Sequence, residues 1–154
     1  MPLTTRRVYN HPVSPENQAL AQFYFAKFPH DPTLPDEAFA DDFVLHHLRE
    51  IKSIPAFKDF MAGVARAFPD FRFDVHHLVS EGDLVAAHYD FSGTQHDTFL
   101  GRIASRGQCF TVRGMSVFRF DSGRIAEIWV AFHTLSMMQQ LGARPEELGW
   151  QPQV

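Results

Sequence analysis

The segment Glu127-Ile128-Trp129-Val130-Ala131-Phe132-His133 places Glu127, Trp129, Ala131 and His133 two residues apart. That is the period of one face of a strand. In the strand before it, Met115, Val117 and Arg119 share a face in the same way. If the two faces meet and point inward, His133 and Arg119 enter one pocket. A histidine titrates near pH 6.5 unperturbed, so His133 suits proton abstraction next to a carbonyl. Arg119 stays charged and could hold an enolate or carboxylate oxygen, while favouring the neutral form of His133. Other readings stand beside this one. Glu127 could pair with Arg119 as a structural ion pair, and His133 could be a helix-start residue bonded to backbone.

His46 is a second candidate, sharing parity with Val44, for a pocket role or a hydrogen-bonded core role. His47 is then expected to face the other way. Tyr89 could orient a substrate oxygen through its hydroxyl. Trp129, Phe60 and Val117 are expected in the pocket wall, and Gln95 and His96 in the loop at its mouth. His88 is assigned to the outer sheet surface or an oligomer contact. The chain has nine histidines but no H-x-H or H-x-x-x-H pair. The doublets His46-His47 and His76-His77 should point their members to opposite faces of strands. No metal site is therefore expected, and no glycine-rich phosphate loop or G-x-S-x-G element is present.

The elements that must position these residues are legible. Ser14-Pro15-Glu16 starts a helix running to about Phe28, where Pro29 stops it. Pro32 and Pro35 bracket a turn, and a short helix spans 36–40. Phe43 to His47 reads as a short extended segment. Ser53 caps a second long helix, with Phe57, Phe60, Met61, Val64 and Phe68 at helical spacing and Pro69 after it. From Phe71 the period is two. Strands follow from 71 to about 79, from 85 to about 92, from 110 to 120 and from 125 to 132. Glu81-Gly82-Asp83 and Asp121-Ser122-Gly123 turn the chain. A last helix begins near Thr134 and stops at Gly142. Helices first and an antiparallel meander after mean an α+β fold.

Length and composition set the bounds. The 154 residues make one domain, with 45% hydrophobic and 21% charged residues. Sixteen phenylalanines suggest an aromatic-lined cavity or a Phe-rich core. The net charge is −4 without a basic stripe, which argues against nucleic acid as a partner. No apolar run approaches membrane-spanning length, and no secretory signal precedes the domain. A cytoplasmic location is expected. The single cysteine, Cys109, rules out an intrachain disulfide.

Several motifs occur in a fixed order: Phe68-Pro69-Asp70-Phe71, Glu81-Gly82-Asp83, Phe91-Ser92-Gly93-Thr94, Phe99-Leu100-Gly101, Phe118 to Trp129, and Gln139-Gln140-Leu141-Gly142. Together they resemble the SnoaL-like polyketide cyclases, within the NTF2-like (cystatin-like) cone fold, over roughly residues 15–142. Residues 1–14 then form a loose leading segment and 143–154 a tail. The resemblance implies N-terminal helices packed on a strongly curved antiparallel sheet, with a short C-terminal helix. It implies ring closure of a polyketide by intramolecular aldol chemistry, without metal or organic cofactor, often in a homodimer. It implies a catalytic carboxylate four residues past the Trp of the Glu-x-Trp element, a position held here by His133. The family's histidine fourteen residues earlier corresponds to Arg119, and a hydrophilic partner to Val117. The expected function is cyclase, isomerase or lyase chemistry on a hydrophobic carbonyl compound. The alternatives are an epoxide hydrolase of the same fold and a non-enzymatic ligand-binding or dimerisation domain.

Overall fold

The computed structural model describes residues 14–27, 36–47 and 50–148. The expected leading segment lies almost wholly outside these residues, as do Pro29, the turn at Pro32 and Pro35, and the end of the tail. Helix α1 (Pro15–Lys27) begins at Ser14, whose hydroxyl accepts from Asn17 N at 3.3 Å. Helix α2 (Ile54–Ala67) begins at Ser53, whose hydroxyl accepts from Ala56 N at 3.3 Å, with a proline in its first turn. Its apolar stripe buries Phe57, Met61 and Val64. The chain then runs through β3 (Arg72–Glu81), β4 (Leu84–Thr94), β5 (Cys109–Asp121) and β6 (Arg124–Phe132) into helix α3 (Thr134–Gln140). The β5–β6 hairpin turns through Ser122 and Gly123, both in the left-handed region at φ 51° and 78°, which matches the twist a tight hairpin needs.

Two features depart from the sequence expectation. The segment expected as a helix at 36–40 is a single 3₁₀ turn, Asp36–Ala38, and β1 begins at once as Phe39–His46. The alternating burial of Phe39, Phe43 and Leu45 extends that strand and overrides the short polar lead. β1 then pairs with β6 in parallel, and a two-residue β2 (Glu50–Ile51) adds to its far edge. The sheet order is β2-β1-β6-β5-β4-β3, so the antiparallel meander of β3 to β6 belongs to a mixed six-stranded sheet that does not close. The fold class is α+β, with helices packed on one face of this sheet. No helix among the described residues is long and apolar enough to cross a membrane.

The core lies between the helices and one sheet face. Val85, Ala87, Tyr89 and Phe91 of β4, Phe110, Val112 and Phe118 of β5, and Ile128 of β6 are buried there. Aromatic rings meet edge to face throughout, as Phe25 does with Phe73 and Phe118 at centroid distances of 5.1 and 5.5 Å. Gln140 ties α3 to the sheet. Its side chain accepts from Thr111 N at 2.9 Å and donates to Thr111 O at 3.1 Å.

A 3₁₀ turn, Pro145–Leu148, closes the described chain over the 95–107 connection. Glu147 accepts from Arg106 at 2.8 and 2.9 Å and from Arg144 N at 2.7 Å. The Arg106 hydrogen bonds, with those of backbone N–H groups, bring its carboxyl from an ordinary 4.5 down to about 2. A depressed carboxylate stabilises the fold above its unfolded pKa and loses that contribution as pH falls through its folded pKa. The difference in thermal midpoint between wild type and Glu147→Gln should therefore be widest above about pH 4.5 and close as pH approaches 2. Melting curves from pH 6 to 2 measure it; a gap independent of pH would contradict the account.

Candidate active site

Parity decides what enters the interior. On β5 the buried positions are Phe110, Val112, Gly114, Ser116, Phe118 and Phe120, so Met115, Val117 and Arg119 face the other way. β6 pairs Met115 with Ala131, Val117 with Trp129 and Arg119 with Glu127, so these residues do share a face, as expected. It is the outer face. Met115 and Trp129 are 58% and 38% exposed there. The expectation of an inward Arg119–Glu127–Trp129 face is thus corrected. Burying Arg and Glu costs several kcal/mol unless both are fully paired, whereas the opposite register buries phenylalanines.

The outer residues satisfy one another. Arg119 Nε donates to Glu127 Oε1 at 2.8 Å, and His46 Nε2 donates to Glu127 Oε2 at 2.8 Å. The bond from His46 chiefly, and those from Arg119, hold the Glu127 carboxyl below the usual carboxylate range. The His46 ring lies flat on Trp129, its cross-strand neighbour, with centroids 5.0 Å apart and planes 4° apart. His46, Arg119, Glu127, Trp129 and Val117 therefore form a structural cluster away from the cavity.

His133 is exposed at the start of α3. Its backbone N donates to Arg113 O at 3.2 Å, and its side chain makes no cap hydrogen bond. The inward orientation expected for it is not the one the structure has. Gln95 is buried, but it braces the 95–103 loop by donating to Asp97 O at 3.1 Å and Ile103 O at 2.9 Å. His96 is exposed in the same loop. Neither lines the cavity.

The interior cavity, about 70 Å³, is walled mainly by aromatic rings, among them Phe25, Phe60, Phe73, Phe91, Phe99 and Phe132. Its polar groups are few: His47, Tyr24, Tyr89 and Ser116. The cavity opens beside a polar cleft of about 630 Å³ lined by Asp59, Arg66, Asp97 and Arg102. His47, Phe60, Val64 and Phe99 line both spaces and so form the junction. His47 is the residue that sequence reasoning turned away. β1 buries Phe43 and Leu45, so the next inward position is 47, while His46 follows Val44 outward. The larger apolar pair was the signal that could have found it.

Burial pushes the His47 pKa below 6.5, and a hydrogen bond to the Val130 carbonyl only partly offsets this. Its ring packs against Phe132, with centroids 5.0 Å apart. One ring nitrogen is engaged by that carbonyl, and the neutral ring keeps the other as an acceptor. Deeper in, Tyr89 and Ser116 share a hydrogen bond of 2.8 Å. Burial raises the Tyr89 phenol, with the Ser116 bond working in the other direction, and burial raises Tyr24 strongly. Both phenols therefore stay protonated at neutral pH and keep a hydroxyl proton to donate. Gly114 makes this floor possible: a Cβ there would stand 2.6 Å from Tyr89 Cε2 and 3.2 Å from Phe132 Cβ.

The sequence profile of the SnoaL-like polyketide cyclases matches residues 18–141. The chain belongs to the SnoaL-like polyketide cyclase family. Solved structures agree on the fold. TsrD from Streptomyces laurentii is 25% identical, covers 86% of this chain and 100% of its own, and has a TM-score of 0.76. A candidate SnoaL-like polyketide cyclase from Jannaschia sp. CCS1 is 23% identical over 87% of this chain and 96% of its own, with a TM-score of 0.77. AclR from Streptomyces galilaeus, a candidate hydroxylase, is 25% identical over 84% and 83%, with a TM-score of 0.73. No curated protein matches the sequence.

Gly114→Ala should displace the Tyr89 ring and break its bond to Ser116. Overpacking of this kind costs about 1–3 kcal/mol. At Gly63 in α2 the nearest atom to an added Cβ is the end of Arg66 at 3.9 Å, so Gly63→Ala should be neutral or stabilising. Denaturant melts of both variants check this, and equal behaviour of the two would refute the packing assignment.

Proposed function

We propose that this chain is a cofactor-free SnoaL-like enzyme of the cyclase type, acting on a hydrophobic carbonyl compound such as a polyketide, with His47 as the acid/base. The observation that carries this reading is the chemistry of the cavity wall. Of its titratable groups, the two tyrosines have raised pKa values and His47 a lowered one, so at neutral pH the phenols stay protonated and His47 alone among them offers a basic nitrogen. It stands where an apolar cavity meets a polar cleft, the place where a reacting bond meets both a dry wall and a proton path.

In this reading the substrate's apolar part enters the aromatic cavity. The Tyr89–Ser116 pair holds one hydroxyl proton between its members and turns the other toward the carbonyl oxygen, where it stabilises the enolate. The free nitrogen of His47 takes the proton from the carbon next to that carbonyl. The carbanion adds to a second carbonyl of the same molecule, forming the ring bond. The resulting alkoxide takes the proton back from His47, so no other reactant is consumed. The Val130 carbonyl fixes the ring orientation and supports the transient imidazolium.

An epoxide hydrolase would place a carboxylate and a water in the cavity. Asp74, Asp90 and Glu127 lie on the outer-facing positions of their strands, so that reading loses its residues. A pure binding module has no need of His47, and its ligand would be released unchanged.

The test compares wild type, His47→Ala and His133→Ala on a polyketide ester of the kind SnoaL-like cyclases close. Product is followed by mass-resolved chromatography and folding by circular dichroism. His47→Ala should lose roughly 10²–10⁴-fold in kcat with the fold intact, the usual share of general acid–base catalysis, while His133→Ala keeps turnover. Because burial lowers the His47 pKa, the acid limb of kcat/KM should lie below pH 6.5. Loss confined to His133→Ala would move the role to that residue, and ligand recovered unchanged from wild type would favour a binding module.

A further inference from the structure

The outer face of the β3–β4 edge carries a group of histidines that the proposed chemistry does not use. β3 pairs Val75 with Tyr89 and then His77 with His88, leaving His76 as the extra residue of a β-bulge. A bulge cancels strand alternation locally. The two members of the doublet, expected on opposite faces, therefore both reach the surroundings of His88. Their ring centroids each lie 5.4 Å from that of His88. His76 Nε2 bonds Asp90 Oδ2 at 3.0 Å, and Arg113 Nε stands 3.7 Å from Asp90 Oδ1. His77 and His88 face each other, with their Nδ1 atoms 3.1 Å apart.

We infer that His77 and His88 form a two-histidine site for a divalent transition-metal ion, with Cu²⁺ bound ahead of Zn²⁺ or Ni²⁺. Imidazole nitrogens bind such ions at about 2.0–2.1 Å, so two nitrogens on one ion lie roughly 3 Å apart. The 3.1 Å separation of the two Nδ1 atoms matches that span. The preference for Cu²⁺ follows from imidazole ligation and the general order of divalent-ion affinities. Among the described residues no group of three or more His, Cys, Asp or Glu side chains is arranged around a single point. The remaining positions on the ion thus go to water, and His76 with Asp90 lies beside it.

Without metal, one of the facing nitrogens carries a proton and donates it to the other. Metal binding removes that proton to solvent, and the same ring takes one up at Nε2, so both rings remain neutral ligands. The ion then links the edge strand β3 to β4 across directly paired residues. The inner sides of these strands hold Phe73, Tyr89 and Phe91 in the cavity wall. The site uses none of the cavity residues and does not depend on the proposed reaction.

The experiment is calorimetric titration of the metal-free full chain with CuCl₂ and with ZnCl₂, joined to electron paramagnetic resonance of the Cu²⁺ complex. Wild type and His133→Ala should each bind one Cu²⁺ with nitrogen hyperfine coupling, and Cu²⁺ should raise the thermal midpoint. His77→Ala and His88→Ala should each weaken binding by at least about tenfold, the loss expected when one ligand or its support is removed. Should either fail to fold, His77→Gln and His88→Gln serve in their place. Absence of Cu²⁺ binding by wild type, or binding unchanged in both single variants, overturns the assignment.

Discussion

The structure depends on one constraint: the concave side of its curved sheet is filled with aromatic rings and admits very few polar atoms. Burying an unpaired charge there would cost several kcal/mol, a large share of a domain's margin of stability. The registers of β5 and β6 follow from this. With Phe110, Phe118 and Ile128 inside, Arg119 and Glu127 must face outward. Outside they find each other and His46 at hydrogen-bond distance, so the cluster is stable without entering the cavity.

The same constraint gives the remaining interior polar groups their character. Tyr24, Tyr89 and Ser116 are buried among apolar atoms, and His47 is half-buried at the junction with the cleft. Tyr89 meets Ser116, and His47 meets the Val130 carbonyl. Desolvation disfavours the charged form in every case, which raises the phenols and lowers the imidazole. A neutral base and neutral hydroxyl donors result from burial alone, with no dedicated charge partner. The polar cleft with Asp59, Arg66, Asp97 and Arg102 lies outside this dry zone and meets it at His47.

Much of the fold was legible in the sequence. Ser14 and Ser53 marked helix starts, Pro69 an end, and Gly82 and Gly123 the hairpin turns, because each acts through local backbone chemistry. The parallel pairing of β1 with β6 was not legible, since it joins residues more than eighty positions apart and carries no local signal. The site was less legible than the fold. Reading Glu127, Trp129 and His133 as inward followed the chemistry of those residues instead of the weight of phenylalanine on the alternate register. Gly114 and Ser116, small residues inside that Phe-rich alternation, were the marks of a cavity floor. At His46-His47 the deciding clue was Phe43 and Leu45. At His76-His77 the bulge made simple alternation fail, which no pattern in the strand itself announces.

The central claim is that His47 is held neutral and oriented at the junction of cavity and cleft. Long-range nitrogen–proton correlation spectra of the histidine rings, recorded from pH 8 to 5 with His47→Gln to assign the signal, test it most directly. The account predicts a His47 ring that titrates below 6.5 and keeps a proton fixed on one nitrogen throughout, as its bond to the Val130 carbonyl requires. A His47 signal titrating at or above 6.5, with its proton averaged between the two nitrogens, would contradict it.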